Sequence, residues 1–278
     1  MTQATPHGTV YVIGSTNIDT VLSVARHPRV GETLTATGIA TFPGGKGANQ
    51  AAAAAQSGAR TVFVTRVGDD DGAARYREHL RRRGADLDRV GTAPGPTGQA
   101  SIVVDAEGQN TIIVVPGANA FLGADAVADL DGVIGPGDVI SLQLEVPLEV
   151  VRAALELARR SGATSLLNPS PWREDVLDLV AAADIVVVNE EEAAQLGEDD
   201  DRVVRTLGAD GARWGDVTAT APRIHAVDTT GAGDAFTGSL AAALVLGASH
   251  AEALQSAVDA ATAACLRPGA QQWAQDES

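Results

Sequence analysis

The chain is predicted to be an α/β protein, a three-layer α/β/α sandwich with a mainly parallel central sheet and a small β-sheet lid. Three observations predict this. Short runs of valine, isoleucine and leucine alternate with longer stretches of helical period, and such alternation implies parallel strands covered by helices on both faces. Two half-polar stretches, roughly 17–40 and 97–116, alternate polar and apolar residues and do not fit inside a sheet buried on both sides. They form the lid. No internal repeat or low-complexity linker divides the chain, so a single domain covers residues 1–278.

Each element follows from its own residues. Positions 9–13 are an apolar run ending at Gly14, as a buried first strand requires, and STNIDTVLSV then alternates as a half-exposed strand does. The turn HPRVGE leads to ATGIATF and the GGKGANQ loop, after which AAAAAQSGA suits a closely packed helix ending at Gly58. Next come a strand in RTVFVTRVG, a helix in GAARYREHLRRRGA, and a hairpin of QASIVVD and QNTIIVVP joined by AEG. From Asp138 the alternation resumes with the strand DVISLQLE, a helix over 148–160, the strand SLLNPSP, a further helix, and DIVVVNEEEAAQLG. The run EDDD at 198–201 reads as a solvated turn.

Composition excludes some partners. A formal charge of −16 repels polyphosphate and acidic lipid, which argues against a nucleic-acid or membrane surface. The sequence has no basic segment leading into a long apolar run, and no stretch approaches about 18 uninterrupted apolar residues, so a cytoplasmic location is expected. Cys265 is the single cysteine and reads as a small buried thiol. Of the 20 basic residues only Lys46 is lysine. It stands inside GGKGAN, where a compact ammonium charge is needed that arginine does not replace.

The sharpest motif is AVDTTGAGDAFTGSLAAAL, a loop of small residues entering an alanine-rich helix. A helix N-terminus preceded by Gly231, Ala232 and Gly233 offers unpaired amides and partial positive charge to a developing anion. Asp234 beside it is placed to accept a proton from an attacking hydroxyl, a role worth about 10² to 10⁴ in rate. The competing reading makes Asp234 a helix cap. The second motif, FPGGKGANQAAAAA, is not a Walker A loop, because Gly47 follows the lysine where that motif requires Ser or Thr. Its glycines allow backbone to approach a polyhydroxylated ligand, and Asn49 can donate and accept. Asn17, Asp19, Glu145 and Asn168 stand at strand ends, where open α/β sheets bind ligands.

With these motifs placed, the chain resembles the ribokinase and PfkB family of carbohydrate kinases over nearly its whole length. GSTNID, PRVGE, GGKGANQAAAAAQSGA, VGDDDGA, LQLEVPLE, LNPSP, NEEE, TLGADGA and VDTTGAGDAF follow the family's order. The resemblance implies a ribokinase-like fold and ATP-dependent phosphorylation of a sugar hydroxyl, foremost D-ribose to ribose 5-phosphate. Fructose, deoxyribose or a nucleoside are alternative substrates, and a sugar-binding regulatory homologue with impaired nucleotide binding is an alternative role. Substrate choice would depend on lid residues such as Ala100, Ile102 and Ile112. It further implies that Asn17, Asp19, Gly45, Lys46, Asn49 and Glu145 hold the sugar. It implies too that Asp234 is the base beside the anion hole of Gly231, Ala232 and Gly233. Asn189 and Glu192 lie near Mg²⁺ and the phosphates, Thr206, Gly208 and Gly211 border the nucleotide, and Asp228 with the carbonyl of Thr230 binds a monovalent cation, usually K⁺. By the same resemblance the lid would close over the sugar and form a homodimer contact.

Three departures cluster on the nucleotide side. EDDD replaces an extra helix of the family, the chain stops soon after RPGAQQWAQDES without the family's usual final helix, and Trp273 stands where the cation loop often has a small hydroxyl residue.

Overall fold

The computed structural model describes residues 8–197 and 200–273. Strand β1 (Val10–Ile13) is wholly buried: Val10 and Val12 face one apolar core, Tyr11 and Ile13 the other. This period of two inside a double-sided core is why the run is apolar throughout. Strands β2 (Asn17–Ser23) and β3 (Gly38–Gly44) then leave the main sheet. Helix α1 (Lys46–Gln56) begins ahead of its alanines, so Lys46, Asn49 and Gln50 belong to the helix and not to the expected loop. Strand β4 (Thr61–Val67), helix α2 (Asp71–Arg82) and strand β5 (Val90–Thr92) follow, α2 capped by Asp70 through Ala73 N.

Strands β6 (Gly98–Val104) and β7 (Asn110–Val115) make the anticipated hairpin. After a short helix α3 (Ala124–Ala128) come β8 (Val139–Leu142), α4 (Leu148–Ser161), β9 (Thr164–Leu167), α5 (Leu177–Ala182), β10 (Ile185–Val188), α6 (Glu190–Leu196) and β11 (Val203–Thr206). Of the EDDD run, Glu198 and Asp199 lie outside the described residues; the Asp200 carboxylate accepts from Arg202 at 2.7 Å, and the Asp201 carbonyl from Trp214 Nε1 at 2.9 Å. Strands β12 (Ala212–Trp214) and β13 (Val217–Ala219) precede helices α7 (Ala232–Val245) and α8 (His250–Ala264).

The main sheet runs β13-β12-β11-β10-β9-β8-β1-β4-β5, parallel from β11 to β5, with β12 and β13 antiparallel at its edge. Residues of α1, α2, α7 and α8 join one core, and residues of α3, α4, α5 and α6 the other, giving the three layers. The second sheet, β3-β2-β6-β7, pairs β2 with β6 in parallel from Asn17–Gly98 to Ser23–Val104. It is the lid, although β7 is exposed at every position and not half-buried.

This topology fixes where a ligand belongs. The strands after β1 are added on one side of it and those from β8 on the other, so chain order reverses between β1 and β8, and the crevice beyond their carboxyl ends is the binding position of such sheets. Helices α1 and α7 close that crevice. They approach so closely that a Cβ at Gly238 would lie 2.3 Å from the carbonyl oxygen of Gln50.

Candidate active site

Asp234 is buried in the first turn of α7, whose N-cap is Gly231. It does not cap the helix. Its Oδ2 accepts from Asn49 Nδ2 at 2.9 Å and its Oδ1 from Gln50 Nε2 at 3.2 Å, both from α1. Gln50 is oriented in turn by Ser141 Oγ at 2.8 Å and Gln143 Nε2 at 2.6 Å, both donating to its Oε1. Burial raises the Asp234 pKa and Glu145 adds to the rise, while Lys46, Asn49 and Gln50 oppose it. A carboxylate held this way is acceptor-only, with no competing donor role.

The N-terminus of α7 differs in one respect from the three free amides expected. Ala232 N donates to Thr229 O at 3.2 Å, whereas among the described residues no hydrogen bond engages the amides of Gly231 or Gly233. The N-terminus of α1 is already satisfied. Lys46 N donates to Glu145 Oε2 at 2.9 Å, Gly47 N to Ser15 Oγ at 3.3 Å and Ala48 N to Ser15 O at 2.9 Å. Ser15 Oγ donates to the same Glu145 oxygen at 2.5 Å, which ties the ends of β1 and β8 together across the crevice. Free backbone donors therefore point from α7 and not from α1.

The carboxylates nearby share one field. Burial by itself lowers the Lys46 pKa, but Asp234, Glu145 and Glu192 together hold it above its ordinary value. Asp19, on β2, is pushed up to about 7 by burial first and by Glu145 and Asp234 second. Asn17, buried at the start of β2, accepts from Asn119 Nδ2 at 2.8 Å, and Asn119 also bonds the Thr16 backbone.

The raised Asp19 pKa has a sign that melting curves will show. Folded Asp19 keeps a proton that the unfolded chain, near 3.8, has released, so stability falls as pH rises between about 4 and 7. Asp19→Asn is expected to melt higher than the parent at pH 8 and to match it near pH 4. Equal melting temperatures at pH 8 would contradict this.

Two adjoining cavities gather most of the nucleotide-side residues singled out in the sequence. One, of ≈ 200 Å³, is lined by Lys46, Asn168, Asn189, Glu192, Gly231 and Asp234. The other, of ≈ 320 Å³, is bordered by Thr206, Gly208, Gly211, Ala232 and Gly233, and Thr206 and Gly233 face both. Asn189 and Glu192 also form a reciprocal capping box on α6, Asn189 N to Glu192 Oε2 at 3.0 Å and Glu192 N to Asn189 Oδ1 at 2.8 Å. Asp228 bridges two loops, accepting from Thr230 N and Gly269 N at 2.8 Å each, and although burial opposes it these bonds hold its pKa below the usual carboxylate range. The Trp273 side chain carries no oxygen to offer it. Its ring is 2% exposed and packs edge-on against Tyr76 and His79, and its N–H donates to Thr41 O at 2.9 Å.

Ser15, Gln50, Asn119 and Gln271 were missed by the sequence reading. The first two sit inside GSTNID and GGKGANQ and could have been found there; Asn119 and Gln271 stand in segments without a motif.

The model of the pfkB family carbohydrate kinases matches residues 8–277. Ribokinase of Staphylococcus aureus is 36% identical over 260 residues, covering 84% of this chain and 86% of that protein. A bifunctional ribokinase/ribose-5-phosphate isomerase A of Fructilactobacillus sanfranciscensis is 38% identical over 281 residues; the match covers 88% of this chain and 52% of that longer protein. Deoxyribokinase of Salmonella typhi is 35% identical over 257 residues, 84% of each chain. The crystal structure of Arabidopsis thaliana ribokinase with ribose and ATP superposes with a TM-score of 0.82 at 31% identity, covering 95% of this chain and 94% of that one. A buried, amide-bound aspartate at a helix N-terminus, a ribokinase-like α/β sheet with its lid, and a family match over almost the full length agree: this chain belongs to the pfkB family of carbohydrate kinases.

Proposed function

We propose that the enzyme transfers the γ-phosphoryl group of ATP to a hydroxyl of D-ribose, giving ribose 5-phosphate and ADP. The observation behind this reading is the seat of Asp234, buried beside the free amides of Gly231 and Gly233 on a cavity that continues toward Gly208 and Gly211. The sugar hydroxyl gives its proton to Asp234 as its oxygen bonds to the γ-phosphorus, and the bond from phosphorus to the bridging oxygen breaks to release ADP. Charge gathering on the transferred group meets the two amides, the α7 dipole and the Lys46 ammonium. Asn17, Asp19, Gly45, Lys46, Asn49 and Glu145 orient the sugar, Lys46 from the wall of the cavity that Asp234 also lines. Thr206, Gly208 and Gly211 border the nucleotide.

Mg²⁺ would arrive with ATP and neutralise phosphate charge. Asn189 and Glu192 offer it the hard oxygens it prefers at the cavity wall. Asp228 and the Thr230 carbonyl would hold a monovalent cation, with no ligand from the Trp273 side chain. Among the described residues no helix is long and apolar enough to cross a membrane; a cytoplasmic location belongs to this reading. So does a homodimer through the lid, where Ile112, Ile113 and Val114 stand exposed on the edge strand β7, which a second copy would cover. Sedimentation velocity is expected to give a dimer, and Ile113→Asp a monomer; a monomeric parent would refute the contact.

Ribose is favoured by the relatives named ribokinase, and the deoxyribokinase at similar identity supports the second reading, deoxyribose. The two sugars differ by one hydroxyl. A site built to bond that hydroxyl rejects the analogue lacking it far more strongly than a hydrophobic pocket separates sugars one methylene apart. Calorimetric titration is expected to show millimolar or tighter binding of ATP and a clear preference for ribose over deoxyribose. The reverse preference would replace the substrate, and sugar binding without nucleotide binding would favour a regulatory role.

A further inference from the structure

The last described segment reaches back into the active site. Gln271 Nε2 donates to Asn49 Oδ1 at 2.7 Å, and Gln271 Oε1 lies 2.7 Å from His79 Nε2 on α2. Asn49 is the residue that donates to Asp234. Neighbouring contacts anchor the segment on both sides: Gly269 N on Asp228, Arg83 Nη2 on the Gln272 carbonyl at 2.8 Å, and Trp273 within the Tyr76 and His79 cluster under the Arg75 guanidinium.

Donor and acceptor matching gives this chain of bonds a single direction. The Asp234 carboxylate only accepts, so Asn49 turns its amide nitrogen toward it, and Asn49 Oδ1 is left to accept from Gln271. The Gln271 oxygen then faces an N–H on His79, a ring with no exposed surface. Flipping the Asn49 amide would oppose two oxygens at Asp234 and two nitrogens at Gln271, so the orientation is over-determined in a buried site.

The geometry points to Gln271 as a positioning residue for phosphoryl transfer: it locks the Asn49 amide so that one N–H stays on Asp234 and the other is left for a sugar oxygen. This rests on the reading of Asp234 as the base. Gln271→Met fills a similar volume without a donor, and Gln271→Glu puts an acceptor opposite Asn49 Oδ1. Gln271→Met is expected to lower kcat/KM for the sugar about ten-fold, the scale of one lost buried hydrogen bond. It should also move the acid limb of the pH profile upward, with Gln271→Glu moving it further. The other groups facing Asp234, namely Lys46 and Gln50 on α1, Glu145 after β8, Asp19 on β2 and Tyr76 on α2, are unchanged in these variants.

In an Asn49→Ala background, Gln271→Met should add no further loss. An unmoved acid limb, with losses that multiply independently of Asn49→Ala, would make the contact merely structural and overturn the inference. Should Gln271→Met unfold, the parent enzyme still decides: the Asn49 side-chain amide, assigned by its disappearance in Asn49→Ala, must exchange slowly with solvent in the sugar-free protein, and free exchange refutes the lock. Turnover surviving in Asp234→Asn would remove the base itself, whereas an inactive Asp234→Asn with an unmoved limb in Gln271→Met removes this inference alone.

Discussion

Asp234→Asn is expected to lower kcat by about 10² to 10⁴ while sugar and nucleotide affinities stay within a few-fold of the parent. Asparagine has the shape of aspartate, and its oxygen can still accept from Asn49 or from Gln50, while its own amide nitrogen then faces the other donor. It cannot take a proton. The α7 dipole and the Gly231 and Gly233 amides remain in place, so catalysis over the uncatalysed rate should persist at a low level. Steady-state turnover with calorimetric binding on the same preparation separates the terms. A variant that binds normally and turns over within a few-fold of the parent would show that Asp234 is not the base.

Gly231→Ala is expected to be nearly as severe for a different reason. Gly231 has φ of +76, a left-handed conformation costing other residues about 1–2 kcal/mol, and a Cβ there would lie 2.4 Å from the Cβ of Ala270 and 2.7 Å from its Cα. The methyl group must displace the segment that bonds Asp228 through Gly269 and Asn49 through Gln271. The amides at the α7 N-terminus turn with it. Loss of about 10² to 10³ in kcat is expected, the scale of an anion-hole donor, together with a lower melting temperature. Gly233 gives the contrast: nothing lies within 4 Å of a Cβ there, so Gly233→Ala should not lower the melting temperature, whatever it does to the cavity it lines. Equal melting of the Gly231 variant and the parent would refute the packing argument.

Local pattern made much of this molecule legible before its structure. β1 reads as a buried strand because both its faces meet a core, and β2, β3, β6 and β7 read as a lid because they do not. The start of α1 was misplaced, since its first turn is held by Ser15 and Glu145, partners remote in sequence, and not by a local cap. The β12–β13 hairpin has strands of three residues, too short for alternation to show. At the site, Asp234, Lys46 and Asn49 stand in glycine-rich motifs and were visible. What no local pattern carries is the set of bonds among them: Gln50 braced by Ser141 and Gln143, and Gln271 arriving from the far end of the chain. Asn189 and Glu192 show the converse, two residues singled out for chemistry that also terminate a helix.

The most direct test is ADP release by the protein with Mg-ATP over ribose, deoxyribose, fructose and adenosine, with the phosphorylated position of the product read by ³¹P NMR. Turnover is expected to be highest on ribose, with the phosphate on its 5-hydroxyl. No phosphorylated product from any of the four, in folded protein that binds ATP, would contradict it.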